Sequence, residues 1–122
     1  MTFTEAAAAW LAYRAQLAEL GSIAAGTVRY QRKIIAMWDV QIGTLELVQI
    51  RKSHVDLAVA RLRAARAPVT LANDVAVLAQ LLNWCVDEQL LEARPRLPTV
   101  PVPSIELELP SDAAFAFMLA AV

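Results

Sequence analysis

Between Thr70 and Pro95 the sequence TLANDVAVLAQLLNWCVDEQLLEARP places apolar residues at steps of three and four. That spacing puts them on the faces of an α-helix. Val75, Leu78, Leu82 and Cys85 fall on one stripe, and Val77, Leu81 and Trp84 fall on a second. A helix that is apolar on two sides has to be covered on two sides, so it belongs in the middle of a bundle. Thr70 is suited to cap its start, and Arg94 with Pro95 mark its expected stop. At 58% hydrophobic residues and only three glycines in 122 residues, the chain fits one compact, alanine- and leucine-rich domain rather than a disordered one. The expected fold class is therefore all-α.

The rest of the chain divides by the same signals. Thr2 followed by Glu5 fits a capping box. Phe3, Ala6, Trp10, Tyr13, Leu17 and Leu20 then share a face until Gly21 and Ser22 end helix one. Gly26 and Thr27 precede helix two, where Tyr30, Ile34, Met37 and Trp38 form an apolar side and Arg29, Arg32 and Lys33 gather elsewhere. Ile42 and Gly43 close it, and LELVQI forms an apolar connector. Helix three is expected from Lys52 or Ser53, with Val55, Val59 and Leu62 inward. Arg61, Arg63 and Arg66 lie toward its C-terminal end, the pole of the helix dipole that favours cations. Pro68 and Val69 separate it from the fourth helix. Residues 1–93 thus form the helical domain. Residues 94–110, with five prolines and no helical period, read as an extended linker. Residues 111–122 begin with Ser111 and Asp112 as caps and carry Phe115, Met118 and Leu119 on one face of a short helix.

Mean hydropathy is positive, yet no run of ~20 predominantly apolar residues is apparent, because Asn73, Asp74, Gln80 and Asn83 recur at helical spacing. No membrane partner is expected. No basic leader precedes an apolar block at the N-terminus, and the single cysteine, Cys85, has no partner for an internal disulfide, so the reducing cytoplasm is the expected setting. Cys85 has neither a second cysteine nor a second histidine for a metal set, and its core stripe suits a small buried hydrophobe. No metal and no cofactor are expected. Tyr13 and Tyr30, the only tyrosines, lie on apolar faces and read as core aromatics rather than nucleophiles. His54 fits a helix start better than a phosphate site.

Charge is unevenly placed. Residues 28–66 hold eight basic side chains against three acidic ones, a net +5, while residues 67–122 hold two against seven, a net −5. Local potential rather than the total of −1 steers a polyanion toward the basic middle.

Taken in order, the pieces resemble the core-binding domain of phage integrases and other tyrosine recombinases. Phe3, Trp10 and Leu11 are similar to the family's opening helix, Thr27 and Tyr30 to its second, and Gly43, Leu47 and Ile50 to its connector. Thr70, Asn73, Trp84 with Cys85, and Pro95 follow its last helix, while Leu109 and Pro110 resemble the approach to its catalytic domain. Arg51 stands where the family often has Thr, and Arg94 where it has Asn. The resemblance implies a SAM-like orthogonal bundle of four helices forming one half of a clamp around double-stranded DNA for integration and recombination. It implies binding without catalysis, because the family's His-x-x-Arg motif is absent: His54 is followed by Val55, Asp56 and Leu57. The catalytic half would then be a partner domain of the parent recombinase.

Under that resemblance the candidate DNA-binding residues are Thr27, Arg29, Arg32, Lys33, Lys52, Arg66, Thr70 and Asn73. Without it, Arg29, Arg32 and Lys33 are a solvated helix face. Two arrangements stay open for Phe115, Met118 and Leu119: packing back on the core, or an exposed patch that promotes self-association. The alternative function is a helical protein–protein interaction module with no role in nucleic-acid binding.

Overall fold

Four helices, α1 (Phe3–Glu19), α2 (Ala25–Ile42), α3 (Lys52–Leu62) and α4 (Pro68–Asp87), with a 3-10 turn at Leu47–Gln49, build the computed structural model, which describes residues 1–101. The expected all-α class holds. Among the described residues the one pairing of extended backbone is an isolated antiparallel bridge between Thr2 and Glu46. Residues 92–101 carry no helix, as expected of the start of a linker. The remainder of that linker and the short helix expected over 111–122 lie outside the described residues.

Helix α1 starts as its sequence requires: the Thr2 hydroxyl accepts from the Glu5 amide, and Glu5 accepts from the Thr2 amide at 2.8 Å. The Thr2 amide, and after it the Thr2 hydroxyl, which donates to the same carboxylate at 3.3 Å, hold the Glu5 carboxyl below its ordinary pKa. It ends on Gly21, whose φ of +80° lets the Gly21 amide reach Ala18 O and the Ser22 amide reach Leu17 O. This is the glycine-terminated Schellman arrangement.

Two helices begin earlier than expected. Helix α2 begins at Ala25 with Ala24 in extended conformation before it, so Thr27 sits inside the first turn, its amide bonded to Ala24 O at 3.1 Å. Helix α4 begins at Pro68, two residues before Thr70, with Ala67 as its N-cap. Proline fits the first helical position because its missing N–H would have had no partner there, so Pro68 starts the helix rather than holding it off.

The stop of α4 is also displaced, from the expected Arg94–Pro95 to Asp87. Gln89 adopts a left-handed φ of 62°, its amide bonds to Val86 O, and the Leu90 amide bonds to Cys85 O at 2.8 Å. The hydrogen-bond pattern matches the end of α1, but without glycine. After the turn at Gln89 the chain places Leu91 in the core.

The core joins all four helices. Trp10, Trp38, Phe3, Leu71, Leu78, Leu81 and Leu82 are almost wholly enclosed, as is Cys85. Both expected stripes of α4 are used: Val75, Leu78, Leu82 and Cys85 are buried, as are Val77 and Leu81, with Trp84 half-buried. Burial pushes the Cys85 thiol up to about 11. Helix α2, however, is the element that packs against each of the other three. By length and composition α4 passes as a membrane span, contrary to the reading of its polar interruptions, because Asn73, Gln80 and Asn83 carry no charge. Eight of its residues are nevertheless enclosed by the bundle, including the carboxylate of Asp74.

Polar contacts fix the helix directions. Thr4 bonds to Asp39 and Gly43 while Arg14 bonds to Gln31, so α1 and α2 run antiparallel. Gln31 bonds to Gln80 at 3.2 Å and the Trp38 indole donates to Asp74 O at 2.9 Å, so α2 and α4 are antiparallel as well. Thr4 also explains Gly43. A Cβ there would lie 2.8 Å from the Thr4 hydroxyl oxygen and collide with both the carbonyl and the carboxylate of Asp39.

Candidate nucleic-acid interface

At about 100° and 1.5 Å per residue, Arg29, Arg32 and Lys33 share one side of α2 and occupy little more than one turn, about 6 Å of its length. All three are exposed, as are Ala25, Gly26, Ala36 and Val40 on the same side. The opposite side holds Gln31, Ile34, Ile35, Trp38 and Ile42, all buried. The only acid on α2, Asp39, is turned toward α1 by its bond to Thr4. Among the described residues no salt bridge involves Arg29, Arg32 or Lys33. The result is a cationic strip with no acid on its own helix face.

Other candidates are placed differently. Thr27 is exposed, but two residues from Arg29 it points about 200° around the helix, so it does not extend the strip. Thr70 and Asn73 are exposed in the first turns of α4. Since Trp38 meets Asp74 and the two helices are antiparallel, Thr70 and Thr27 lie at opposite ends of the pair, roughly 20 Å apart at 1.5 Å per residue. The N-terminal turns of α2 and α4 therefore do not form one patch. The solvent stripe of α4, Asn73, Ala76, Gln80, Asn83 and Asp87, contains no cation at all.

Two cations are engaged. Lys52, first in α3, pairs with Asp56 at 2.9 Å, an exposed contact of little energetic weight. Arg66 is different in kind. Its guanidinium grips both carboxylate oxygens of Asp74, a side chain with 0% exposure. Two parallel bonds to one carboxylate suit the planar guanidinium fork. Arg66 thereby closes the α3–α4 corner and is committed to the fold before any ligand arrives. In the sequence Arg66 reads as a candidate DNA contact and Asp74 as a polar interruption of α4 eight positions away, and no local signal marks such a pair. Arg14 is held likewise, with Nε bonded to Gln31 Oε1 at 3.1 Å and its guanidinium carbon 5.7 Å from the Trp10 ring centre.

The tyrosines are not core aromatics. Tyr30 is 45% exposed and Tyr13 is 39% exposed, the latter stacked on Trp84 with ring centres 5.8 Å apart. Leu20, expected on the apolar face of α1, is its C-cap residue and is 79% exposed. His54 occupies the first turn of α3, where its Nδ1 accepts from the Arg51 amide at 3.0 Å. Among the described residues no three His, Cys, Asp or Glu side chains gather to hold a metal ion.

An open groove of about 790 Å³ runs between Leu47, Val48 and Ile50 on one side and the Val86–Pro95 segment on the other. Sequence reading missed it, because it is created by the early end of α4. Comparison with known proteins adds no relative: no family model, no curated protein and no solved structure matches the chain.

Proposed function

We propose that this chain binds double-stranded DNA through the outer face of α2, as the core-binding domain of a phage-type tyrosine recombinase. The observation that carries the reading is the strip of Arg29, Arg32 and Lys33, three exposed cations on a face with no acid. Such a strip supplies affinity by displacing counterions from phosphates, while base recognition would need amide or guanidinium contacts to groove edges. The order of family-like residues, the SAM-like bundle and a role in DNA integration and recombination belong to the same proposal. So do a cytoplasmic setting and a catalytic half supplied by the parent protein, with no chemistry performed by the residues of this domain.

Titrating a fluorescent duplex over a salt series tests it. Affinity should fall with salt with a logarithmic slope of about −0.9 for each phosphate neutralised. Reversing Arg29 and Lys33 to Glu should abolish most of that slope while far-UV circular dichroism stays unchanged. No duplex binding even at low salt would sink the proposal.

The groove beside Val48, which is itself 80% exposed, favours a second reading: a helical module that binds protein. Self-association that persists in high salt and in the Arg29→Glu, Lys33→Glu variant, without DNA binding, would select it.

A further inference from the structure

The groove at the end of α4 has apolar walls: Leu47, Val48 and Ile50 on one side, Val86, Leu90 and Leu91 on the other. Leu47, Ile50 and Leu91 are buried, but Val48 is 80% exposed. Its volume of about 790 Å³ falls within the roughly 300–1,000 Å³ typical of sites that enclose a ligand. An apolar wall that includes a side chain left in water marks an interaction site. Glu92 and Arg94 line the groove as well, and their opposite charges give it no preference for an anion or a cation. The occupant it suits is an apolar side-chain cluster.

The chain carries such a cluster itself. Phe115, Met118 and Leu119 recur at helical spacing, and they lie outside the described residues, so their tether is measured from Pro101. Val100 and Pro101 line a small cleft with Arg63, Arg66 and Pro68, which puts that point of the chain beside the first turn of α4. The groove is at the other end of the helix. Pro68 to Val86 is 18 residues, or about 27 Å at 1.5 Å per residue. From Pro101 to Phe115 the chain has 14 residues, which extend to about 46 Å at roughly 3.3 Å each, so the tether reaches with length to spare. Charge favours the return. Residues 102–122 hold Glu106, Glu108 and Asp112 and no base, a net −3, and the chain total of −1 therefore leaves +2 on residues 1–101. We propose that the groove is the docking site of the same molecule's residues 111–122, entered by Phe115, Met118 and Leu119. Tethering gives this segment an effective concentration on the order of mM, which a separate partner has to match. The inference goes beyond the DNA-binding reading and does not depend on it.

Nuclear Overhauser spectra of the full 122-residue chain, recorded without DNA, test it. Cross-peaks are expected between the Phe115 ring and the Val48 methyl groups, and in a mixture of labelled and unlabelled chains they should arise only within one molecule. Phe115→Ser with Met118→Ser should remove them and shift the methyl resonances of Val48 and Leu91, while those of Leu78, a core residue that does not line the groove, stay in place. Val48→Asp, at a position the bundle leaves exposed, should abolish the cross-peaks from Phe115 to Ile50 with helicity unchanged. Groove methyl resonances that do not move in the Phe115→Ser, Met118→Ser variant overturn the proposal. Cross-peaks that arise only between molecules overturn it too, because a second copy then fills the groove. With no DNA in the sample, either failure leaves the DNA-binding reading untouched.

Discussion

Arg66 and Arg29 look alike in sequence, each a cation in the basic middle of the chain, yet the fold treats them oppositely. Arg66 is tied to a carboxylate that has no access to water, whereas Arg29 stands on a face where nothing opposes it. Arg14 belongs with Arg66, and Arg32 and Lys33 belong with Arg29. A count of basic residues therefore overstates the surface available to a polyanion. What divides the two sets is the partner that tertiary packing delivers: a buried Asp74 or Gln31 for one, solvent for the other.

The largest expected effect would show that Arg66 is structural. Replacing it with Ala leaves the Asp74 carboxylate buried without a counter-charge, which should cost about 3–5 kcal/mol in urea unfolding. A loss under about 1 kcal/mol would place Arg66 with the free cations instead. Gly43→Ala probes the joint that α1 makes with α2, where the added methyl meets Thr4 and Asp39. Overpacking of this kind should cost about 1–3 kcal/mol, read as a lower urea midpoint at unchanged slope.

Alkaline pH sharpens the division between inside and outside. The folded-state pKa of Cys85 is raised from 9.0 to about 11 by burial. The unfolded chain releases this proton first, so stability is fully present below pH 9 and declines as pH rises toward 11. A two-unit shift corresponds to a loss on the order of 2 kcal/mol, and Cys85→Ala should remove that part of the pH dependence in parallel urea titrations. An identical alkaline decline in the variant would show that another group is responsible.

A smaller gain is expected from Gln89→Gly. Glycine tolerates the left-handed conformation that a side chain resists, so this variant should be more stable by up to about 1 kcal/mol, measured as a rise in melting temperature. Smallest of all, Arg29→Gln with Lys33→Gln should alter folding stability by within about 0.5 kcal/mol per residue. A larger destabilisation would mean that the outer strip of α2 also serves the fold, and the contrast with Arg66 would fail.

Much of the architecture is visible in the residue order. The Thr2–Glu5 cap and the Gly21 stop act within a few residues of themselves, so local chemistry is sufficient to place them. The two stripes of α4 and the inward set of α3 likewise follow from spacing alone. Where local signals competed, the prediction failed. Thr27 and Thr70 are good caps in isolation, but extended backbone at Ala24 and a proline at Pro68 begin both helices earlier. The end of α4 falls earlier than the Arg94–Pro95 signal indicates, because Gln89 turns left-handed and Leu91 packs into the core, a contact with the bundle that residue spacing does not show. In the candidate interface the strip on α2 is periodic and could be read directly. Its separation from Thr70 and Asn73 and the capture of Arg66 could not.

The sequence by itself determined that this chain folds as helices, which faces are oily, and that α2 carries its cations on one side, because each depends on residues within a turn or two of one another. Only the tertiary structure decided which of the cations remain available. Antiparallel packing sets α2 against α4 and sends their first turns to opposite ends. It also closes Arg66 onto Asp74. The physical reason is that a charge is neutralised by whatever lies within a few ångströms in space, and distance along the chain does not fix that.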